Sequence, residues 1–107
     1  MAEVVFCYVT HPEAEGAVAL ARALVDEGLA ACGNVLPGMR SVYRWQGAVH
    51  EAGEAVLVVK TRAGLAGRVA ARVRELHPYE CPCVAVLPVT GGDPGYLAWI
   101  AAESPGD

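Results

Sequence analysis

The apolar positions at the start of the chain change from the period of a strand to the period of a helix. Residues 4–10 form a short apolar run rich in β-branched and aromatic side chains, which predicts a buried strand. A helix is predicted over about residues 12–27, because Thr10 and Glu13 have the spacing of a capping box and Gly28 is suited to end a helix. The apolar stripe of this helix consists of Ala17, Leu20, Ala21, Leu24 and Val25.

The middle of the chain predicts two strands joined by a turn. Residues 32–45 indicate a long strand with an interruption at Pro37-Gly38, where a proline favours a bulge or an unpaired edge position. The following stretch, WQGAVHEAGEA, carries the turn and the start of the returning strand. The returning strand itself is predicted at residues 55–61, a nearly continuous apolar run typical of a strand covered on both faces.

The last part of the chain predicts a helix, a strand and a short terminal helix. The second helix covers about residues 63–76 and ends at His77-Pro78, because the residue before a proline disfavours the helical conformation. Residues 83–89 predict the last strand, and Asp93-Pro94 begins the terminal helix. Leu65, Val69, Val73 and Leu76 share one face of the second helix.

The order of the elements is strand, helix, strand, strand, helix, strand, followed by a terminal helix. This order is typical of the split βαβ, ferredoxin-like arrangement among α+β folds, in which two helices cover one face of an antiparallel sheet. The 107 residues fit a single domain, 1–107. With 54 % hydrophobic residues, the second face of the sheet also needs a cover, and a partner subunit is the obvious candidate.

Charge and segment composition exclude several classes of partner. The formal net charge is −4, whereas nucleic-acid binders usually have a basic balance, so no nucleic acid is expected. No apolar run approaches the roughly 18 residues of a membrane span, so no membrane partner is expected. The N-terminal stretch has no basic region and does not have the pattern of a secretory signal. We therefore expect a cytoplasmic protein whose four cysteines are thiols.

Several stretches together resemble the CutA divalent-cation-tolerance family. The Tyr-Arg-Trp-Gln-Gly and His-Pro-Tyr-Glu-x-Pro segments are the most specific of them, and the resemblance extends in order over almost the whole chain. It implies a homotrimer of ferredoxin-like subunits, and a role in tolerance of copper and other divalent cations that involves metal binding. The matching stretches are residues 27–47, residues 60–61 and residues 76–100.

The resemblance also implies metal ligands, at a cysteine ending the first strand and at histidines before the Pro-Tyr. This chain has Val9 immediately before Thr10, and its nearest thiol, Cys7, lies two positions upstream on the same strand face. Of the histidines only His77 is retained, so the implied copper site is incomplete.

A thiol pair follows this histidine. Cys81 and Cys83 flank Pro82, which favours an extended backbone and therefore two side chains on one side. Such a pair suits Cu(I) or Zn²⁺, although no second pair is present to complete a four-ligand zinc site. The alternative is that both cysteines are small, partly buried apolar side chains. The candidate ligands for copper or another divalent cation are His77, Cys81, Cys83 and Cys7.

The same segments indicate an interfacial pocket. Lys60 ends an apolar strand and needs a partner, for which Glu80 is plausible, because burying an unpaired ammonium is costly. A pocket of this kind could bind a small anion or a metabolite. The alternative is that these side chains only hold subunits together. The candidate pocket residues are Tyr43, Trp45, Lys60, Tyr79 and Glu80.

Three functions therefore remain open. The first is a metal-binding homotrimer that contributes to cation tolerance, and the second is a trimeric small-molecule sensor. An enzyme is the least favoured, because no nucleophile–base pair, phosphate-binding glycine motif or G-x-S-x-G motif is present. His11, in the loop after the first strand, is expected to be a solvated residue of the helix start.

Overall fold

Four strands and three α-helices make up the computed structural model, which describes residues 3–106. The strands are β1 (Val4–His11), β2 (Cys32–Trp45), β3 (Ala48–Arg62) and β4 (Val84–Pro88). The helices are α1 (Ala14–Asp26), α2 (Ala66–Leu76) and α3 (Pro94–Ala102), and a 3-10 turn at Ala63–Leu65 precedes α2. The strand order is β2-β3-β1-β4 with antiparallel neighbours, which confirms the expected α+β ferredoxin-like fold with a C-terminal helix. No helix in the described residues is long and apolar enough to cross a membrane.

The side chains of β1 alternate between the two sides of the sheet, which are covered to different extents. Cys7 and Val9 are fully buried on the side that carries α1 and α2, whereas Phe6 and Tyr8 point to the other side and are half-buried. The side with the two helices therefore holds the main core of the chain. Its members are Cys7, Val9, Ala17, Leu20, Ala21, Leu24, Leu29, Ala30, Ala55, Leu57, Val59, Val69 and Val73.

The first helix begins later than the capping box predicts. Thr10 pairs with Val56 inside the sheet, so its side chain is not available as a cap, and α1 begins at Ala14. The Glu13 backbone N–H instead donates to Nδ1 of His11 at 3.0 Å. The expectation of a solvated His11 is also wrong: it is the last residue of β1 and only 7 % exposed.

Glycine determines both how α1 begins and how it ends. A Cβ on Gly16 would lie 2.0 Å from Cε1 of His11, so the imidazole can rest on the first turn only because this residue has no side chain. At the other end Gly28 has a φ of 75°, and Leu29 N–H donates to Leu24 O as in a Schellman motif. The predicted helix-ending role of Gly28 is confirmed.

The second strand has its predicted bounds, whereas the third is longer than its apolar run. Leu36 lies opposite Val56 and Met39 opposite Glu54, which confirms the predicted bulge at Pro37-Gly38. Beyond it, residues 39–54 form a hairpin, here called the arm, and the β3 part of the arm pairs with β2 alone. The apolar run of β3 was predicted at residues 55–61, and the strand itself starts at Ala48, within the stretch that was predicted to carry its start. Backbone pairing with β2 continues there although the stretch has few large apolar residues.

The remaining boundaries are close to expectation. Gln46 and Gly47 both have positive φ at the tip of the arm, as a two-residue hairpin turn of type I′ requires. Strand β4 begins at Val84, one residue after the predicted start, because the segment before it is not paired with β1. Asp93 caps α3 by accepting the Tyr96 N–H at 2.9 Å.

Candidate functional site

A cavity of about 690 Å³ lies on the side of the sheet opposite α1 and α2. The strand register explains its position: Thr10 is opposite Val56, and Glu54 is two residues from Val56 on the same strand face. The arm forms one wall of the cavity and the connection between α2 and β4 forms the other. The lining residues are Thr10, Ser41, Val42, Tyr43, Trp45, Glu54, Pro78, Tyr79, Glu80, Cys81 and Cys83.

His77 anchors the connection between α2 and β4. Its Nε2–H donates to the Thr10 carbonyl at 2.6 Å, and its Nδ1 accepts the Tyr79 N–H at 3.1 Å. The ring centroid of His77 also lies 4.9 Å from the ring centroids of His11 and of Tyr79. Because a carbonyl can only accept, these bonds correspond to a neutral ring with its proton on Nε2. Both nitrogens are therefore occupied by backbone partners, and the ring is 7 % exposed.

The structure places the four predicted metal ligands in three environments. Cys81 and Cys83 are exposed thiols on the wall of the cavity. Cys7 is fully buried in the core on the opposite side of the sheet, where burial raises the pKa of its thiol. His77 is turned to Thr10 and Tyr79. Within residues 3–106, no three His, Cys, Asp or Glu side chains are grouped closely enough to hold a metal ion together.

The donors of the cavity fit a soft or borderline cation better than a hard one. Two thiols are ligands for copper in its monovalent form or for zinc, and Glu54 and Glu80 add carboxylate oxygens to the same walls. The cavity thus offers two thiols together with two negatively charged carboxylates. It does not offer the closed four-ligand geometry of a structural zinc site.

Four of the five predicted pocket residues line this cavity, namely Tyr43, Trp45, Tyr79 and Glu80. The fifth, Lys60, does not. Its ammonium donates to the Tyr96 hydroxyl at 2.8 Å and lies 5.2 Å and 5.3 Å from the ring centroids of Phe6 and Tyr96.

The predicted Lys60–Glu80 pair is therefore not formed within the subunit. The register accounts for this, because Lys60 lies opposite Phe6. Glu80 belongs to the connection before β4, which enters the sheet with Val84 opposite Val9, farther along β1.

Sequence reasoning missed Glu54, which is half-buried on the cavity wall. Burial raises the pKa of the Tyr79 phenol, and the charge of Glu54 and then Tyr43 raise it further. The electrostatic effect of the Glu54 carboxylate therefore reaches another residue of the cavity wall. A longer β3 would have revealed it, because the alternation of a continuous strand places Glu54 on the same face as Val56. In the described part of the chain Glu54 and Glu80 form no ion pair.

Comparisons with known proteins agree on one family. Residues 5–103 match the family model described as "CutA1 divalent ion tolerance protein". The divalent-cation tolerance protein CutA of Thermus thermophilus is 46 % identical over 100 residues, which cover 94 % of this chain and 95 % of that protein. The chloroplastic protein CutA of Arabidopsis thaliana is 44 % identical over 87 % of this chain, which spans 51 % of the length of that relative.

Solved structures give the same result at the level of the fold. CutA1 from Oryza sativa superposes with a TM-score of 0.94 at 37 % identity, covering 99 % of this chain and 97 % of the other. The divalent cation tolerance protein from Thermus thermophilus superposes with a TM-score of 0.89 at 44 % identity, covering 97 % of this chain and 99 % of the other. By its matched family model and its relatives, the chain belongs to the CutA1 divalent ion tolerance protein family.

Proposed function

We propose that this chain binds metal ions, copper in particular, as a homotrimer and thereby contributes to tolerance of divalent cations. One observation carries the binding part of the proposal: the exposed thiols of Cys81 and Cys83 share an acidic cavity with Glu54 and Glu80. Thiolates are the ligands that monovalent copper prefers, and the carboxylates raise the local concentration of any cation. The family name supports the general role.

The four predicted ligands would then contribute differently. Cys81 and Cys83 would contact the ion, whereas His77 would position them by holding Thr10 and Tyr79 at the base of the segment. Cys7 would remain a core residue, because a buried thiol with a raised pKa is a poor source of thiolate.

The test is a titration of Cu(I), Cu(II) and Zn²⁺ into the reduced protein. We expect Cu(I) to bind most tightly and the Cys81→Ser/Cys83→Ser variant to lose this binding. Cys32→Ser is the matched control, because Cys32 is a half-exposed thiol outside the cavity. Affinities no stronger than about millimolar, roughly −4 kcal/mol, would refute metal binding. Tight binding that persists in the double variant would show that the metal site lies elsewhere in the protein.

The homotrimer part of the proposal is supported by apolar side chains that the subunit leaves exposed. Val42 is 69 % exposed and Val49 62 %, both of them on the arm. A subunit that covers these side chains gains the hydrophobic stabilisation that a single chain forgoes. The mass of the protein in solution tests this, and a monomer at micromolar concentration would contradict it.

A small-molecule sensor is the second candidate, and the size of the cavity favours it, since small-molecule sites usually measure about 300–1,000 Å³. Small molecules can be screened against the metal-free protein by its mass and its thermal stability. An increase in either on addition of a small molecule would support a sensor. The cytoplasmic location and the lack of enzyme activity stay predictions.

A further inference from the structure

The cavity combines aromatic walls with a negative charge. Tyr43, Trp45 and Tyr79 supply ring faces and edges, and the charged lining residues in the described part of the chain are Glu54 and Glu80. Aromatic faces attract cations through their quadrupole, and carboxylates without ion-pair partners do so through their charge. Both features disfavour the small anion that was expected when Lys60 was placed in the pocket.

We propose that this cavity binds a small organic ammonium cation, held by Tyr43, Trp45 and Tyr79 and neutralised by Glu54 and Glu80. The ligand class goes beyond the proposed binding of metal ions, because aromatic rings contribute to binding an ammonium and are not ligands for copper or zinc. The volume of about 690 Å³ accommodates an ammonium together with a substituent.

The aromatic wall is held in place by its own contacts. The Tyr43 ring stacks on His50 across the arm with centroids 5.6 Å apart, and the Tyr79 ring lies against His77 at 4.9 Å. The Tyr79 backbone is fixed in addition by its N–H bond to His77 Nδ1. Two of the three rings are therefore positioned before any ligand arrives, which lowers the entropy cost of binding.

The molecule contains a precedent for this mode of recognition. The Lys60 ammonium lies 5.2 Å and 5.3 Å from two ring centroids, those of Phe6 and Tyr96, and donates to the Tyr96 hydroxyl. It forms no ion pair within residues 3–106. On the same side of the sheet, aromatic side chains thus already hold one ammonium, and the cavity offers more rings together with two carboxylates.

The experiment compares choline with 3,3-dimethyl-1-butanol, its neutral isostere, by calorimetry on the assembled wild-type protein at low salt. We expect saturable binding of choline and at least tenfold weaker binding of the isostere. Added salt should weaken choline binding, since exposed charges are screened. Equal affinity for the two probes, or no saturation by choline below about 10 mM, would overturn the proposal.

Variants then locate the site. Trp45→Ala and Tyr79→Leu should each weaken choline binding about two- to fivefold or more, the range of a single cation–aromatic contact. Glu54→Gln keeps the shape and removes the charge, and should also weaken binding. Trp99→Leu and Glu103→Gln are the matched controls, because both residues are exposed and lie outside the cavity. Unchanged affinity in the cavity variants, or equal losses in the controls, would refute the assignment.

The ammonium site and the proposed metal site can fail independently. Cys81→Ser/Cys83→Ser should abolish Cu(I) binding and leave choline binding within about twofold of wild type. Trp45→Ala should have the opposite effect, since an indole is not a copper ligand. Loss of choline binding in the thiol variant alone would contradict the aromatic site, and loss of Cu(I) binding in Trp45→Ala alone would contradict the thiol site.

Discussion

The two sides of the sheet differ in how far the chain itself covers them. On the side of α1 and α2, Cys7, Val9 and Leu57 are fully buried within the single chain. On the other side the arm and the cavity expose Tyr43, Trp45 and other large apolar side chains. Because alternating residues of the same strands supply both sides, the difference arises from the cover and not from the residue types.

The cysteines show what this difference means chemically. Cys7 lies in the core, where burial raises the pKa of its thiol, and it behaves there as a small apolar side chain. Cys81 and Cys83 lie on the uncovered side and line the cavity with two carboxylates. The same residue type therefore contributes packing on one side and candidate ligands on the other.

The largest expected effect is on thiol reactivity. Cys81 and Cys83 should react with iodoacetamide in the native protein, whereas Cys7 should be protected at least about a thousandfold, because exposing it requires an opening of the core that costs about 5 kcal/mol or more. Peptide mass spectrometry of a labelling time course measures the rates. All four thiols should react readily in denaturant, and labelling of Cys7 at the native rate of Cys83 would show that the two sides do not differ.

The second effect compares two leucines that lie on opposite sides of the sheet. Leu57→Ala removes a fully buried side chain and should lower the free energy of unfolding by about 2–5 kcal/mol. Leu36 is 58 % exposed in the subunit, so Leu36→Ala should cost less than about 0.5 kcal/mol unless a partner subunit covers it. Urea denaturation measures both. A larger loss for Leu36→Ala would quantify its burial by a partner, and a negligible loss for Leu57→Ala would contradict the core.

Sequence reasoning succeeded where short-range periodicity determines the structure. The bulge at Pro37-Gly38 and the ends at Gly28 and Asp93 follow from local propensities and were predicted correctly. The predicted stripe of α1 is buried except for Val25, which is 41 % exposed. Such reasoning was less successful for the β3 part of the arm, because pairing with β2 holds that strand while its own sequence has few large apolar residues.

The candidate site was predicted in part for the same reason. Tyr43, Trp45, Tyr79 and Glu80 belong to recognisable segments, and the structure brings them to one cavity. Glu54 was missed because its position depends on the strand register, and Lys60 lies outside the cavity, where Tyr96, distant in sequence, supplies its partner. Contacts of this kind are not encoded in spacing along the chain.

The third effect tests the contact that begins α1. Gly16→Ala would place a Cβ against the His11 ring and should cost about 1–3 kcal/mol of stability, because a packed site accepts an added methyl poorly. Gly67 in α2 is the matched control with open space around it, so Gly67→Ala should be neutral or stabilise by up to about 1 kcal/mol. In the Gly16→Ala/His11→Ala double variant the losses should be less than additive. Full additivity in denaturation would show that the ring and the glycine do not interact.

The smallest effect concerns pH and the same histidine. Burial, and secondarily the proximity of His77, lower the pKa of His11 in the folded protein, although the contact with Glu13 partly opposes this. Above the unfolded-state pKa of 6.5 the ring is neutral in both states and contributes no pH dependence. Below this pH the unfolded chain takes up a proton that the folded state takes up only at a still lower pH. The free energy of unfolding therefore decreases as the pH is lowered.

Replacement of His11 isolates this contribution. His11→Asn retains an acceptor for the Glu13 N–H and cannot be protonated, so it should lose less stability than the wild type between about pH 8 and pH 5. His50→Asn, at an exposed position on the arm, is the control for replacing a histidine outside the core. Denaturation midpoints across this range measure the difference. Parallel curves for wild type and His11→Asn would mean that the buried imidazole is not held neutral, and that the covered side of the sheet tolerates a charge at the edge of its core.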